Sequence, residues 1–548
     1  MRRWAILESR PFPSRVEARV SGHPPSQSES QNPSRSQTVF DECLNLTRGL
    51  PHLAGLHGEL AAARERLGRP LRVAIAGQAS RGKSTLVNAM IGRDELAVGR
   101  AETTAVVTEL SYADRPAVTV RYEDGSVARG RPEDLHRLTV RGGDGERPAP
   151  GVARVEYGVP SEFLKSFRLL DTPGLASVYE EDGSATEEAL GLRSHRDSES
   201  ALRAADALVF LIDSEVHEED FALVERFAEK TPGKVTPVYA IGVYAKCDLH
   251  WRASDPEADP LERMMRASGG RQPGPQLSRY FFVTLPVAAV AAHGAARLTP
   301  GMLATLRALS RTDPAELASR LRSGRRFVDG ADGAGETTAE DRLALFEALQ
   351  AWGVYRACRH LAKHPEAGGD ELRAHLRSIS GVDTLNERLS QHFGNRAAFI
   401  KLHSGLHRVR RSAAAAKPGA DRAELAVLAL VERKLNSLEY EDSSLDELNA
   451  LAAFYAGVTG FTDEEREEIL RVTGEHGTRC EQRLGQEEGT PLRALEAHAV
   501  ARVAHWARRS EGGSLPGRSR YVARIIRDSY ERILNRVRQA HALLDIRE

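Results

Sequence analysis

Gly77-Gln78-Ala79-Ser80-Arg81-Gly82-Lys83-Ser84 is the stretch that decides the fold. It is a complete GxxxxGK[ST] pattern, preceded by the apolar run Leu71 to Ala76 and followed by the helix-forming run Ser84 to Ile91. Strand, glycine turn and helix start, in that order, are the context such a loop requires. The glycines let successive backbone N–H groups converge on phosphate oxygens, and the helix N-terminus adds its positive dipole. Lys83 is then placed to reach the β- and γ-phosphates and Ser84 to hold Mg²⁺. Gly77 to Ser84 and the adjoining Thr85 are the candidate nucleotide-binding residues. A tight glycine turn with no ligand is the plainer alternative, and the flanking strand and helix argue against it.

Three further pieces fall where a nucleotide hydrolase needs them. Asp171-Thr172-Pro173-Gly174 ends the apolar run Phe167–Asp171. An Asp there faces a magnesium shell, and the Gly174 amide can sense a γ-phosphate. Ala245-Lys246-Cys247-Asp248 follows the run Val238–Tyr244 and matches the guanine-reading [NT]KxD pattern at Lys246 and Asp248. The Asp accepts from the base N1–H and exocyclic amine, while the Lys stem stacks on the ring. Ala245 stands where Asn or Thr is usual, which removes one hydrogen bond, about 0.5–1.5 kcal/mol. Guanine remains the expected base. Thr103, Thr104 and Thr108 offer a switch threonine, Thr104 being the candidate magnesium ligand and Thr108 reading equally well as a strand residue. Beside Gly174, where small GTPases carry a water-orienting Gln, stands Leu175. An aliphatic side chain cannot orient water, so that task falls to the loop or to a partner chain.

The rest of the chain bounds the possibilities. Its 548 residues exceed one small core, and a net charge of −1 gives no global basic field for nucleic acid. Four cysteines without CxxC or Cys/His spacing fit a reducing cytosol. No segment reaches 18 consecutive apolar residues and the start lacks a signal-peptide pattern, so membrane contact is expected from the surface. Residues 1–38, rich in Ser, Pro and Arg, read as a disordered tail. Residues 39–69 read as one neck helix with Leu53, Leu56, Leu60 and Leu67 at helical spacing.

From 70 to 312 short β-runs alternate with helical stretches, the signature of a mainly parallel sheet covered on both faces. The expected strands include Val118–Tyr122, Phe167–Asp171, Ala207–Asp213, Val238–Tyr244 and Tyr280–Val283, and Asp255 to Pro275 reads as a surface loop. Residues 313–340, containing the Gly/Asp-rich Gly324 to Gly335, read as a linker. Residues 341–548 carry only helical periodicity, as in Val522, Ile525, Ile526, Ile533 and Val537, and imply an all-α bundle or stalk.

The loop GQASRGKST, the leader LAVGRAETTAVVT, the DTPG, the AKCD and the later PVAAVAAHGA together resemble the bacterial dynamin-like GTPases, the actinobacterial isoniazid-inducible and sporulation-associated types above all. The helical half joins the resemblance through Ala351-Trp352-Gly353-Val354, Ser380-Gly381-Val382-Asp383-Thr384-Leu385 and Gln391-His392-Phe393 with Arg396. The resemblance implies a cytoplasmic GTPase that binds and hydrolyses GTP with Mg²⁺ and remodels or stabilises membranes as a peripheral oligomer at the inner face of the cell membrane. Self-association across the nucleotide faces is implied, with a dynamin-like paralogue as a second candidate partner. It implies phosphate binding by Gly77, Gly82 and Lys83, magnesium binding by Ser84, Thr104 and Asp171, and a monovalent cation placed by Ser80. Ser80, Lys83, Thr104 and Gly174 become the candidate catalytic residues.

Eukaryotic dynamins carry Gln where this chain has Ala79. Arg81 reads as a solvated loop charge, with action in trans as the alternative. Two stretches are candidate lipid contacts: the basic run His407-Arg408-Val409-Arg410-Arg411 to Lys417, and the apolar set Phe454, Tyr455, Val458 and Phe461. The rival reading is a nucleotide-switched scaffold that binds a protein partner and never bends lipid.

Overall fold

Strands that are apolar along their whole length belong in a sheet covered on both faces. Leu71–Ala76 (β1) and Ala207–Ile212 (β7) are such strands; every residue but Arg72 is buried. A computed structural model of the chain describes residues 35–78, 80–98, 106–139, 151–173, 201, 205–213, 218–228, 238–267, 277–330, 337–441, 444–455, 457–513 and 515–545.

Among these residues one sheet of nine strands forms. The others are β2 (Thr108–Tyr112), β3 (Ala117–Tyr122), β4 (Val127–Gly130), β5 (Val152–Val159), β6 (Phe167–Asp171), β8 (Ala240–Tyr244) and β9 (Thr284–Pro286). The order is β4-β3-β5-β2-β6-β1-β7-β8-β9. The half β6-β1-β7-β8-β9 is parallel throughout, whereas β2 runs antiparallel to β6 and β3 antiparallel to β4 and β5. The glycine loop leaves the carboxyl end of β1, in the middle of the parallel half, where ligands bind in open α/β sheets.

Among the described residues helices dominate the remainder; some share the sheet's core and others bury separate clusters of their own. Trp352, Val382, Leu385, Leu389, Phe393 and Ile400 are buried in one cluster with Val73, Ile75 and Phe210. The three helical motifs singled out by resemblance all lie on this contact. Gly381 (φ +80°) passes so close to β9 that a Cβ would stand 2.4 Å from the Pro286 carbonyl oxygen. Arg377 and Asn386 donate to the carbonyls of Ala89 (2.6 Å) and Met90 (3.0 Å), capping the end of the helix Lys83–Ile91. His392 stacks on Phe282 (centroids 3.6 Å apart), and the buried Arg396 binds the buried Glu475 at 2.9 Å. These neighbours hold the Glu475 carboxyl far below the usual range against the opposing effect of burial.

Several sequence expectations need correction. The 39–69 neck is two helices, Arg35–Thr47 and Ala54–Leu67, separated by a turn and the 3₁₀ segment Pro51–Leu53. Gly49 (φ +76°) and Pro51 cause the break. The first helix begins inside the stretch read as a disordered 1–38 tail, whose residues 1–34 lie outside the described ones. The 313–340 linker carries the helices Pro314–Arg320 and Gly324–Asp329, with Leu317 and Phe327 buried. The Asp255–Pro275 loop contains the helix Pro260–Ala267, opened by Asp259 accepting from the Leu261 N–H. The last strand is Thr284–Pro286 and not Tyr280–Val283, because Tyr280 and Phe281 form the turn before it and Phe281 stacks on Phe210. The helix Gly517–Asp545 occurs with the expected face inward, the helix Leu492–Glu511 buries Leu495, Ala499 and Trp506, and Thr462 with Glu465 forms a capping box.

Candidate active site

The glycine loop is shaped by its first residue. Gly77 takes φ +151°, and a Cβ there would meet the Leu211 carbonyl oxygen at 3.1 Å, so β7 admits only glycine at that turn. Ser80 follows in the left-handed region, φ 56°. Lys83 opens the helix Lys83–Ile91 and lays its ammonium group back over the loop, donating to the carbonyls of Gln78 (3.0 Å) and Gly77 (3.3 Å). Next to it the Ser84 hydroxyl donates to Asp171 Oδ2 at 2.8 Å, tying the helix start to the end of β6. Thr172 donates to the Ile75 carbonyl at 2.8 Å and fixes the same end of β6 against β1.

A cavity of about 710 Å³ opens over this loop. Ser80, Arg81, Gly82, Lys83, Ser84 and Thr85 line one end; Ala245, Lys246, Asp248 and Leu249 line the other. Lys246 is in the left-handed region (φ 55°), and Asp248 lies in the turn Cys247–His250 after it. Asp248 is buried, and its Oδ1 has no hydrogen-bond partner among the described residues. Burial pushes its carboxyl above the usual range, with the nearby Lys246 and His250 opposing. A buried carboxylate oxygen without a donor costs stability, so its presence in a cavity wall calls for a ligand that donates.

A phosphate cradle and a carboxylate with an open acceptor thus stand at opposite ends of one cavity. Residues 73–230 match the family model described as Dynamin family. The isoniazid-induced protein IniC of Mycobacterium tuberculosis is 29% identical over 455 residues, 81% of this chain and 86% of that one. Dynamin-like protein 2 of Campylobacter jejuni is 32% identical over 138 residues, 25% of this chain and 22% of that one. The chain thus carries a dynamin-family GTPase region over residues 73–230 and is similar to bacterial dynamin-like proteins beyond it. Among solved structures, a chain of an oligomerised bacterial dynamin pair aligns over 95% of this chain and 93% of its own, at 13% identity and a TM-score of 0.32.

In this dynamin-like GTPase the expected site residues fall into three groups. Ser80 to Thr85, Lys246 and Asp248 line the cavity, Gly77 and Gln78 lie under the Lys83 ammonium, and Asp171 touches Ser84. Ala79, Thr104 and Gly174, with Leu175, lie outside the described residues. Arg81 is a correction. It is 5% exposed, bonds Asp220 through both nitrogens (2.7 and 3.0 Å) and donates to the Leu211 carbonyl at 2.9 Å. It is therefore neither a solvated charge nor a cation available to a second chain, but a tie between the loop and the helix Glu218–Ala228.

The two candidate lipid contacts of the GTPase also change. Phe454, Val458 and Phe461 are buried in the helical core, Phe461 against Trp506. The basic run lies within the helix Ala397–Ala416, with Val409 buried and Arg408 facing Ser404 (3.0 Å) and Glu59 (3.8 Å). Arg411 is exposed on the helix, and Lys417 is exposed in the turn Lys417-Pro418-Gly419 that follows it.

Sequence reasoning missed four polar cavity residues: His293, Arg297, Glu347 and Gln350. His293 lies in the PVAAVAAHGA motif, which was the available signal. It reaches Asp94 (2.6 Å) and Asn88 (3.3 Å), and burial keeps its imidazole below the usual range despite Asp94. Glu347 and Gln350 come from the helical region and carry no motif.

Proposed function

We propose that this GTPase binds GTP with Mg²⁺ in the cavity between the loop and Asp248, and that it acts as a self-associating protein on the cytoplasmic face of a membrane. The observation that carries the reading is the joining of Lys83 and Ser84 to Asp248 by a single cavity. Ser84 and Asp171 bring two hard oxygens together at 2.8 Å, which fits a magnesium site, and Thr104 is the proposed further ligand. The ion, when bound, neutralises charge on the β- and γ-phosphate oxygens.

The chain's own residues divide the remaining work. Lys83 supplies a fixed cation to the phosphates, and the backbone from Gly77 to Ser84 supplies N–H donors. Asp248 accepts from guanine N1–H and from the exocyclic amine, filling its open Oδ1. Leu175 cannot orient water, and Arg81 is committed to Asp220. Water orientation therefore falls to Ser80, Thr104 and Gly174 once two nucleotide faces meet, with a monovalent cation placed by Ser80. The dynamin-family region supports such self-association and surface membrane contact. No described helix is long and apolar enough to cross a membrane.

The test is steady-state phosphate release from GTP and ATP over a wide range of protein concentration, with and without Mg²⁺ and anionic liposomes. The reading expects GTP and Mg²⁺ dependence, activity per molecule that climbs with concentration and again on liposomes, and a flattened climb in Ser80→Ala. Constant activity per molecule under all conditions would leave the nucleotide-switched scaffold as the better account.

A further inference from the structure

Three described non-glycine residues have positive φ: Ser80, Lys246 and Gln350. All three line the same cavity. The first two belong to the phosphate loop and the base motif, where ligand contact is the established reason for such backbone. Gln350 belongs to neither. It interrupts the helix Ala339–Lys363 with φ 53° and ψ −178°, a combination that residues with a side chain rarely hold. Strained backbone persists where the surroundings over-determine it, and it collects at ligand clamps.

Gln350 can be assigned to one end of the cavity. A second space of about 530 Å³ adjoins the first, and Asp248, Leu249 and Gln350 line both. The break therefore places Gln350 where the two spaces meet, together with Asp248 and Leu249. There its Nε2 donates to the Phe346 carbonyl at 3.0 Å, one turn back along its own helix. That bond fixes the carboxamide and leaves Oε1 as an acceptor with no partner among the described residues.

An extra acceptor at this place has a specific use. Guanine offers three protons on the edge that Asp248 meets, one on N1 and two on the exocyclic amine. A carboxylate has two oxygens and takes two of the three. The third proton belongs to the amine and needs a different acceptor.

We propose that Gln350 is a base-specificity residue supplied by the helical region, its Oε1 accepting the second proton of the guanine exocyclic amine while Asp248 accepts the first. The inference rests on the guanine reading of this cavity and deepens it. It also gives the chain a base contact from outside the α/β part, offsetting the side-chain bond that Ala245 lacks. The strain at Gln350 is then the cost of delivering an amide from a helix that would otherwise run past the site.

The test is calorimetric titration of the full-length chain with GDP, IDP and ADP, for wild type, Gln350→Ala and Gln350→Gly. IDP is GDP without the exocyclic amine, and diphosphates avoid turnover. Loss of one hydrogen bond should weaken GDP roughly three- to tenfold in both variants while IDP changes less than twofold. Gln350→Gly keeps the positive-φ backbone available, so it separates loss of the amide from loss of the break. The proposal fails if GDP affinity is unchanged in both variants, or if GDP and IDP weaken equally, which would make Gln350 a purely structural cap. Failure of the underlying guanine reading looks different: wild type itself would show no preference for GDP over ADP.

Discussion

The two ends of the cavity are built in opposite ways. The phosphate end is local: one loop, the start of one helix and the tip of the neighbouring strand supply Ser80 to Thr85 and Asp171. Three of its side chains are bonded within the protein, Lys83 to loop carbonyls, Ser84 to Asp171 and Arg81 to Asp220. The base end is assembled from two distant segments, β8 with the turn holding Asp248 and the broken helix with Gln350, and the buried Asp248 Oδ1 has no partner among the described residues. A satisfied, local site holds its shape without ligand. An open, composite site is completed by the ligand and pays in apo stability for the difference.

The sharpest way to break this comparison is Arg81→Ala. If the loop is held from within, removing one partner of a buried ion pair should cost about 3–5 kcal/mol, read as a lowered midpoint in denaturant titration. A normal midpoint with lost concentration dependence of GTP hydrolysis would return Arg81 to a role in trans. Lys83→Ala should weaken GDP binding by roughly two orders of magnitude, because the phosphates lose their fixed charge-assisted donor. Retained affinity in calorimetry would move the phosphate site elsewhere.

The base end should respond with the opposite sign in stability. Asp248→Asn removes a buried carboxylate with an open oxygen and should stabilise the apo protein by about 1–3 kcal/mol. The pH dependence follows from the raised carboxyl. The folded state holds this proton more tightly than the unfolded chain does, so the wild type loses stability as pH rises from the unfolded carboxylate pKa through the folded one. The advantage of Asp248→Asn over wild type should therefore be absent in strong acid and grow across that window. An advantage independent of pH would mean that the carboxylate is not the cause. Gln350→Gly should give the smallest change, a gain of about 1 kcal/mol from relieved backbone strain less the entropy of glycine. A clear loss of apo stability instead would show that the Phe346 contact outweighs the strain.

The same contrast explains what could be read from the chain. Gly77 to Ser84 is contiguous, and each residue's task follows from its neighbours, so loop, following helix and Asp171 were legible. Lys246 and Asp248 were legible from spacing, but nothing local shows that Asp248 Oδ1 is left without a donor. Gln350 sits in an ordinary helical run, Phe346-Glu347-Ala348-Leu349-Gln350, and the break arises only in the fold. Arg81 looked solvated because its partner Asp220 lies on a different helix. Phe454 and Phe461, beside glycine breaks, looked like an exposed tip; Trp506, from the helix Leu492–Glu511, stands against Phe461 and closes that face. Local chemistry was readable, and the partner across the fold was not.

The account turns on Asp248 reading the base, and calorimetry with GDP and XDP on wild type and Asp248→Asn tests that most directly. Xanthine carries a carbonyl where guanine carries its exocyclic amine, so a carboxylate should favour GDP, and an amide, which can donate to that carbonyl, should favour XDP. The prediction is a reversal of preference between the two proteins, with the phosphate contacts intact in both. Asp248→Asn that still prefers GDP, with wild-type affinity, would contradict the assignment of the base end and with it the guanine specificity of the cavity.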